Sequence, residues 1–152
     1  MKRLLLAAGL LGLTSIAALA QASKPAEKPA EGRTLNAKMD YTAAGTVDAK
    51  HKIFVFVFDS PNFLQGAAMP IGVGSTAAKD GTATVSNISV SPVYISVCFD
   101  AKGGYDGMSG PPPSGSPLGV YWKTPGTPEP VKIEAGKTAE ITISFDDSYK
   151  MP

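Results

Sequence analysis

One cysteine, one histidine and one tryptophan stand in 152 residues. A single cysteine excludes an internal disulfide framework, so any core has to hold by packing alone. A single histidine excludes a blue-copper centre, which needs two histidines and a cysteine, and leaves His51 as the sole imidazole base for catalysis. Charge of one sign is also missing. Lys and Arg number 14 against 13 Asp and Glu, for a formal charge of +1, too balanced for nucleic-acid binding driven by counterion release. Helical periodicity is missing too: no stretch of about ten residues or more holds apolar side chains on one helical face.

What is present begins with an address. Lys2 and Arg3 precede an apolar run from Leu4 to about Ala20 that ends in small residues, the layout of a secretory signal. Its apolar core is shorter than the ~20 residues that span a bilayer, so a cleaved leader is expected rather than an anchor. Cleavage after Ala22 leaves Ser23 first, and an alternative site follows Ala20. Losing Lys2 and Arg3 takes the formal charge from +1 to −1. A periplasmic or secreted protein follows, with no membrane span after processing.

From Ser23 to Lys38 the text reads SKPAEKPAEGRTLNAK, rich in Pro, Ala and charge, and predicts a flexible tether. Residues 39–152 form the expected domain. There, short apolar runs alternate with Gly, Pro, Asp and Ser clusters at the spacing of a β-sandwich. The predicted strands are Tyr41–Val47, Ile53–Phe58, Met69–Ser75, Thr82–Ile88, Val93–Phe99, Leu118–Trp122, Val131–Glu134 and Thr138–Phe145. IFVFVF puts Ile53, Val55 and Val57 on one face and Phe54, Phe56 and Phe58 on the other. Both faces are apolar, so the strand is central, and the tether, the proline-rich loop or a partner has to cover its outward face. Cys98, inside VYISVCFD, is expected to be buried and inert.

The segment KDGTATVSNISVSPVYISVCFD, Lys79 to Asp100, combines an Asp80-Gly81 turn, alternating Val85 and Ile88, and Pro92 followed by Tyr94, Ile95 and Val97. It resembles the strand-turn-strand signature of carboxypeptidase regulatory-like domains, which have the prealbumin (transthyretin-like) fold. The family pattern places Gly after the proline, where this chain has Val93. GSPLGVYW and PVKIEAGKTAEITISF are similar to the closing strands of stand-alone exported bacterial members, so the likeness runs from about Gly45 to Phe145. The resemblance implies an antiparallel Greek-key sandwich of seven or eight strands and an accessory or binding role. It implies no activity by itself.

Candidate chemistry is sparse. In FDAKGGYDG, Asp100 and Asp106 sit where a calcium loop would have ligands, but Lys102 and Gly104 occupy intervening ligand positions. Two carboxylates fall short of the six to eight oxygens calcium takes, and Gly103, Gly104 and Gly107 suit a turn. A weak metal site at Asp100 and Asp106 is the alternative; no cofactor is expected. His51, in the lysine-flanked turn DAKHKI, shows no orienting carboxylate, so no catalytic residue is assigned. Asp59, Asp146 and Asp147 are read as ordinary turn formers, and the Asn87-Ile88-Ser89 sequon as chance. Binding remains: Tyr121 and Trp122 point to opposite faces if they lie on a strand, and with Tyr105 one of them could stack on a sugar or peptide. The alternative has the proline loop fold back over the outward aromatic. Two functions stand: a non-catalytic accessory module of the cell envelope, monomeric, with an unknown protein or glycan partner, or a carbohydrate-binding module using Tyr105, Tyr121 or Trp122.

Overall fold

The structure is a computed structural model and describes residues 32–65 and 68–152. The expected leader (residues 1–22) and the first part of the tether lie outside the described residues. Seven strands form two sheets: β1 (Arg33–Tyr41), β2 (Ile53–Phe58), β3 (Gly72–Thr76), β4 (Thr82–Ile88), β5 (Tyr94–Phe99), β6 (Leu118–Val120) and β7 (Thr138–Phe145). A short 3₁₀ helix, Pro61–Gln65, follows β2. One sheet runs β4-β1-β7 and the other β3-β2-β5-β6. They pack face to face in a sandwich-like all-β architecture.

Period-two patterning explains the core. Leu35, Ala37, Met39 and Tyr41 of β1 meet Ile53, Val55 and Val57 of β2, Ile95, Val97 and Phe99 of β5, and Ile143 and Phe145 of β7. At ~25 cal/mol per Å² of apolar surface, each such side chain contributes roughly 1.5–3 kcal/mol against exposure. Gly119 marks one close approach of the two sheets. A Cβ there would stand 2.6 Å from Cβ of Phe145 and 2.8 Å from Val97, so only glycine fits.

Two strands are displaced or shortened, β3 starting at Gly72 instead of Met69 and β6 ending at Val120 instead of Trp122, and three larger expectations change. Residues 33–38, expected to belong to the tether, are part of β1. Its inward residues include small Ala37 and its outward ones the charged Lys38, so the alternation hid inside a tether-like composition. The domain starts at β1 rather than at residue 39, and the strand expected at Tyr41–Val47 ends where it was to begin. The sheets are also not wholly antiparallel: β1 and β7 run parallel, paired from Thr34–Thr138 through Tyr41–Phe145. No hairpin joins these two strands, so nothing local sets their direction. Finally, Val131–Glu134 contributes an isolated bridge between Val131 and Val93 instead of a strand. Arg33 holds this segment, its Nε donating to the Ile133 carbonyl at 2.7 Å.

In β4 the register shifts opposite Arg33 and Leu35, and Asn87 takes a φ of 60° in the resulting bulge. At the far end Tyr41 packs on Phe99 and Phe145, with centroids 4.9 and 4.8 Å away. Its hydroxyl donates to Asp147 at 2.6 Å. Burial, then that carboxylate, pushes the phenol's pKa up.

Candidate functional site

The outer face of the four-stranded sheet carries the feature that sets this molecule apart from a plain sandwich. Strand register lays down two cross-strand rows, Phe54–Cys98–Leu118 and Phe56–Ser96–Val120, with Phe58 beside Tyr94. Phe54, Phe56, Phe58 and Cys98 form a second buried cluster separate from the main core. No sheet covers it. The 3₁₀ helix closes one side, Phe63 stacking on Phe58 at 4.4 Å.

The loop after β5 closes the other side, and its two aspartates shape it. Asp100, almost wholly buried, accepts the N–H of Gly103 at 3.0 Å and of Tyr105 at 2.8 Å. That hold swings Tyr105 over the phenylalanines, 5.1 Å from Phe54 in an edge-on contact. The Tyr105 hydroxyl donates to the Gly110 carbonyl at 2.7 Å, and burial pushes its pKa to about 12. Asp106 accepts the N–H groups of Met108 and Ser109, both at 2.8 Å, and the Ser109 hydroxyl at 2.5 Å. These bonds hold its pKa down at about 2. Gly107 lies between them with φ +79°, and a Cβ there would stand 2.8 Å from the Phe54 ring. Both carboxylates thus serve the turn. Among the described residues no group of three or more His, Cys, Asp or Glu side chains gathers as a metal site would require.

The loops do not meet over the sheet. They leave a cavity of ≈ 490 Å³ with Phe56, Phe58, Ser96, Leu118 and Val120 as its floor. Leu64, Met69 and Pro70 wall one side, Tyr105, Met108, Pro111 and Pro112 the other, and Met151 and Pro152 the end. A second cavity of ≈ 390 Å³ adjoins it and shares Leu64, Leu118, Gly119 and Val120; Trp122, Pro125 and Tyr149 complete it. Together they make a trough across β6. No charged side chain lines either part. Such size and lining are typical of small-molecule sites.

Of the three aromatics singled out in the sequence, Tyr105 and Trp122 line the two halves of the trough, and Tyr121 packs against the main core. The β6 ladder continues through Tyr121 N–H to the Ile95 carbonyl at 3.0 Å, so alternation puts Trp122 on the outside, 5.9 Å from Tyr149. The proline loop lines the cavity rather than filling it. Three methionines, Met69, Met108 and Met151, border the larger cavity; sequence reading passed over them because each lies in a different bland loop.

Two other groups complete the inventory. His51, expected to lack a carboxylate, has one: its Nδ1 lies 3.0 Å from Asp48. Asp48 is three residues upstream and also accepts the N–H groups of Lys50 and His51, so a turn brings the pair together where strand spacing gave no hint. Cys98 is fully buried, which pushes its thiol to about 12. The Ser116 hydroxyl lies beside it but falls short of hydrogen-bond geometry. Compared with known proteins, the chain matches no family model and no curated protein sequence.

Proposed function

We propose that this chain is an exported, non-catalytic accessory module of the bacterial cell envelope, a prealbumin-like Greek-key sandwich that binds its partner in the trough on its outer sheet face. The leader-like start of the sequence supports export, and the Lys79–Asp100 signature supports the fold type. The trough supports the binding role, since a cavity of ≈ 490 Å³ with an aromatic floor and an uncharged lining has the size and character of a small-molecule site.

The carbohydrate reading keeps one observation in its favour, the Trp122–Tyr149 pair lining the smaller cavity. It meets a cost in the larger one. A sugar hydroxyl buried without a partner costs roughly 1–3 kcal/mol, and Ser96 is the one buried polar side chain on that floor.

Titration with the dye 1-anilinonaphthalene-8-sulfonate tests the site. Saturable binding of one dye per chain is expected, lost in Met108→Glu and Leu64→Glu while the melting temperature holds. A folded protein that takes up no dye overturns the proposal. Saturation of Trp122 fluorescence by a cell-wall or storage glycan transfers the function to carbohydrate binding.

A further inference from the structure

The chemistry of the trough narrows its occupant. Its two cavities lie in tandem, so the space is long rather than round. At ~30 Å³ for each water-sized unit, the larger holds about sixteen such units and the smaller about thirteen. An uncharged lining favours a guest whose buried part is uncharged.

Hydrogen-bond supply separates the remaining guests. An extended peptide in an apolar groove needs a strand edge for its amides. The nearest edge is β6, and the segment 149–151 occupies the approach to it. Leu118 N–H donates to the Tyr149 carbonyl at 2.8 Å, Met151 N–H to the Ser116 carbonyl at 2.9 Å and Gly115 N–H to the Met151 carbonyl at 2.9 Å. Only the Val120 end of that edge is left open, so a peptide would bury most of its amides against side chains that cannot pair with them. A hydrocarbon chain brings no such groups. At the rim, Met69 and Met108, 73% and 71% exposed, supply soft, unbranched side chains that adapt to a flexible guest.

Resting on the binding role proposed above, we infer that the trough takes a linear aliphatic chain, the acyl chain of a fatty acid or lipid, lying across β6 from Phe58 toward Trp122 with its polar head in water at the rim. Tyr105 and the 3₁₀ helix grip its sides. Ser96 and Val120 lie beneath its middle.

The test uses saturated acids from octanoate to octadecanoate and the matching alcohols, below their micelle concentrations, read by Trp122 fluorescence and calorimetry. Binding should tighten about four-fold per added methylene, the equivalent of ~0.8 kcal/mol, and then level off when the trough is full. Acids and alcohols of equal length should differ by only a few-fold. Ser96→Leu raises the floor and should shift the plateau to shorter chains. Met108→Glu, at an exposed rim position that the fold does not need, should weaken every chain at least ten-fold. Affinity indifferent to chain length, or undiminished in Met108→Glu, overturns the inference, and so does saturation by an apolar peptide with no response to the acids. In these cases dye binding tells the two levels apart: if the dye still saturates, the trough remains a site for another guest, and if it does not, the binding role falls as well.

Discussion

On its inner face β2 meets another sheet, and on its outer face it meets loops. All six of its side chains are buried, so by burial alone the two faces are equal. Their closures differ. Ile53, Val55 and Val57 interlock with a second pleated surface whose side chains repeat at the same period, and such surfaces fill space as densely as a crystal. Phe54, Phe56 and Phe58 are covered by a 3₁₀ turn and a glycine-rich loop that have no matching period, and they leave ≈ 490 Å³ unfilled. Regular structure closes a face completely, whereas irregular structure closes it selectively. A single strand can therefore hold the fold with one face and offer a site with the other.

The sharpest way to break this comparison is to truncate both faces. Ile95→Ala, between the sheets, should cost about 2–5 kcal/mol, whereas Phe56→Ala should cost about 2, below the usual 3–5, because the lost ring opens onto space that already exists. Equal losses in urea denaturation would show that the outer cluster is as tightly packed as the inner one. Next comes the loop that does the covering. Gly107→Ala combines a φ of +79° with a contact 2.8 Å from Phe54 and should cost roughly 2–3 kcal/mol, while Gly104→Ala, at φ +95° with open space around it, should cost about 1. Similar melting temperatures for the pair would remove Gly107 as the seat of the loop on the aromatic floor.

Cys98 probes the outer cluster from below. Its thiol is raised from 9.0 to about 12, so in alkali the unfolded chain releases that proton first. Stability should fall as pH rises through 9 toward 12, and Cys98→Ala should flatten that slope; thiol reagents should react only slowly without denaturant. The smallest effect belongs to Asp106. Its carboxyl is depressed from 3.8 to about 2, so its contribution is present above pH 3.8 and fades as pH falls through 2. Asp106→Asn should lose this acid-side dependence together with the same small contribution at neutral pH, so that the two proteins converge in acid, and adding calcium or a chelator should not shift either melting curve. A calcium-dependent rise in melting temperature that vanishes in Asp106→Asn would restore the metal reading of the loop.

Strands with firm borders were legible to the residue, whether alternating like β4 and β7 or apolar throughout like β2. β1 was half hidden, since Ala37 is a weak apolar signal and charged neighbours gave it the look of a linker. The need for a cover over Phe54, Phe56 and Phe58 was legible as well, but the shape of that cover was not. The trough draws on five separated segments, none of which reads as a site alone, and its volume is set by how far the Asp100 and Asp106 turns let the loop descend. Tyr105 and Trp122 could be named because aromatics in loops are conspicuous. Tyr149 and Met151 could not, because their place depends on the 149–151 segment returning beside β6, and Met69 and Met108 lie in loops without a pattern.

The parallel pairing of β1 with β7 has a mechanical side. The start of β1 and the end of β7 lie at opposite ends of one ladder of eight residue pairs. Tension applied through the two termini pulls these strands past one another along their length once the 149–151 segment has peeled away. All the bonds between them then carry load together, whereas a hairpin would open them one at a time. Resistance to stretching is a matter of unfolding rate rather than of equilibrium stability, so this pair of strands can act as a clamp whatever the stability of the domain around it.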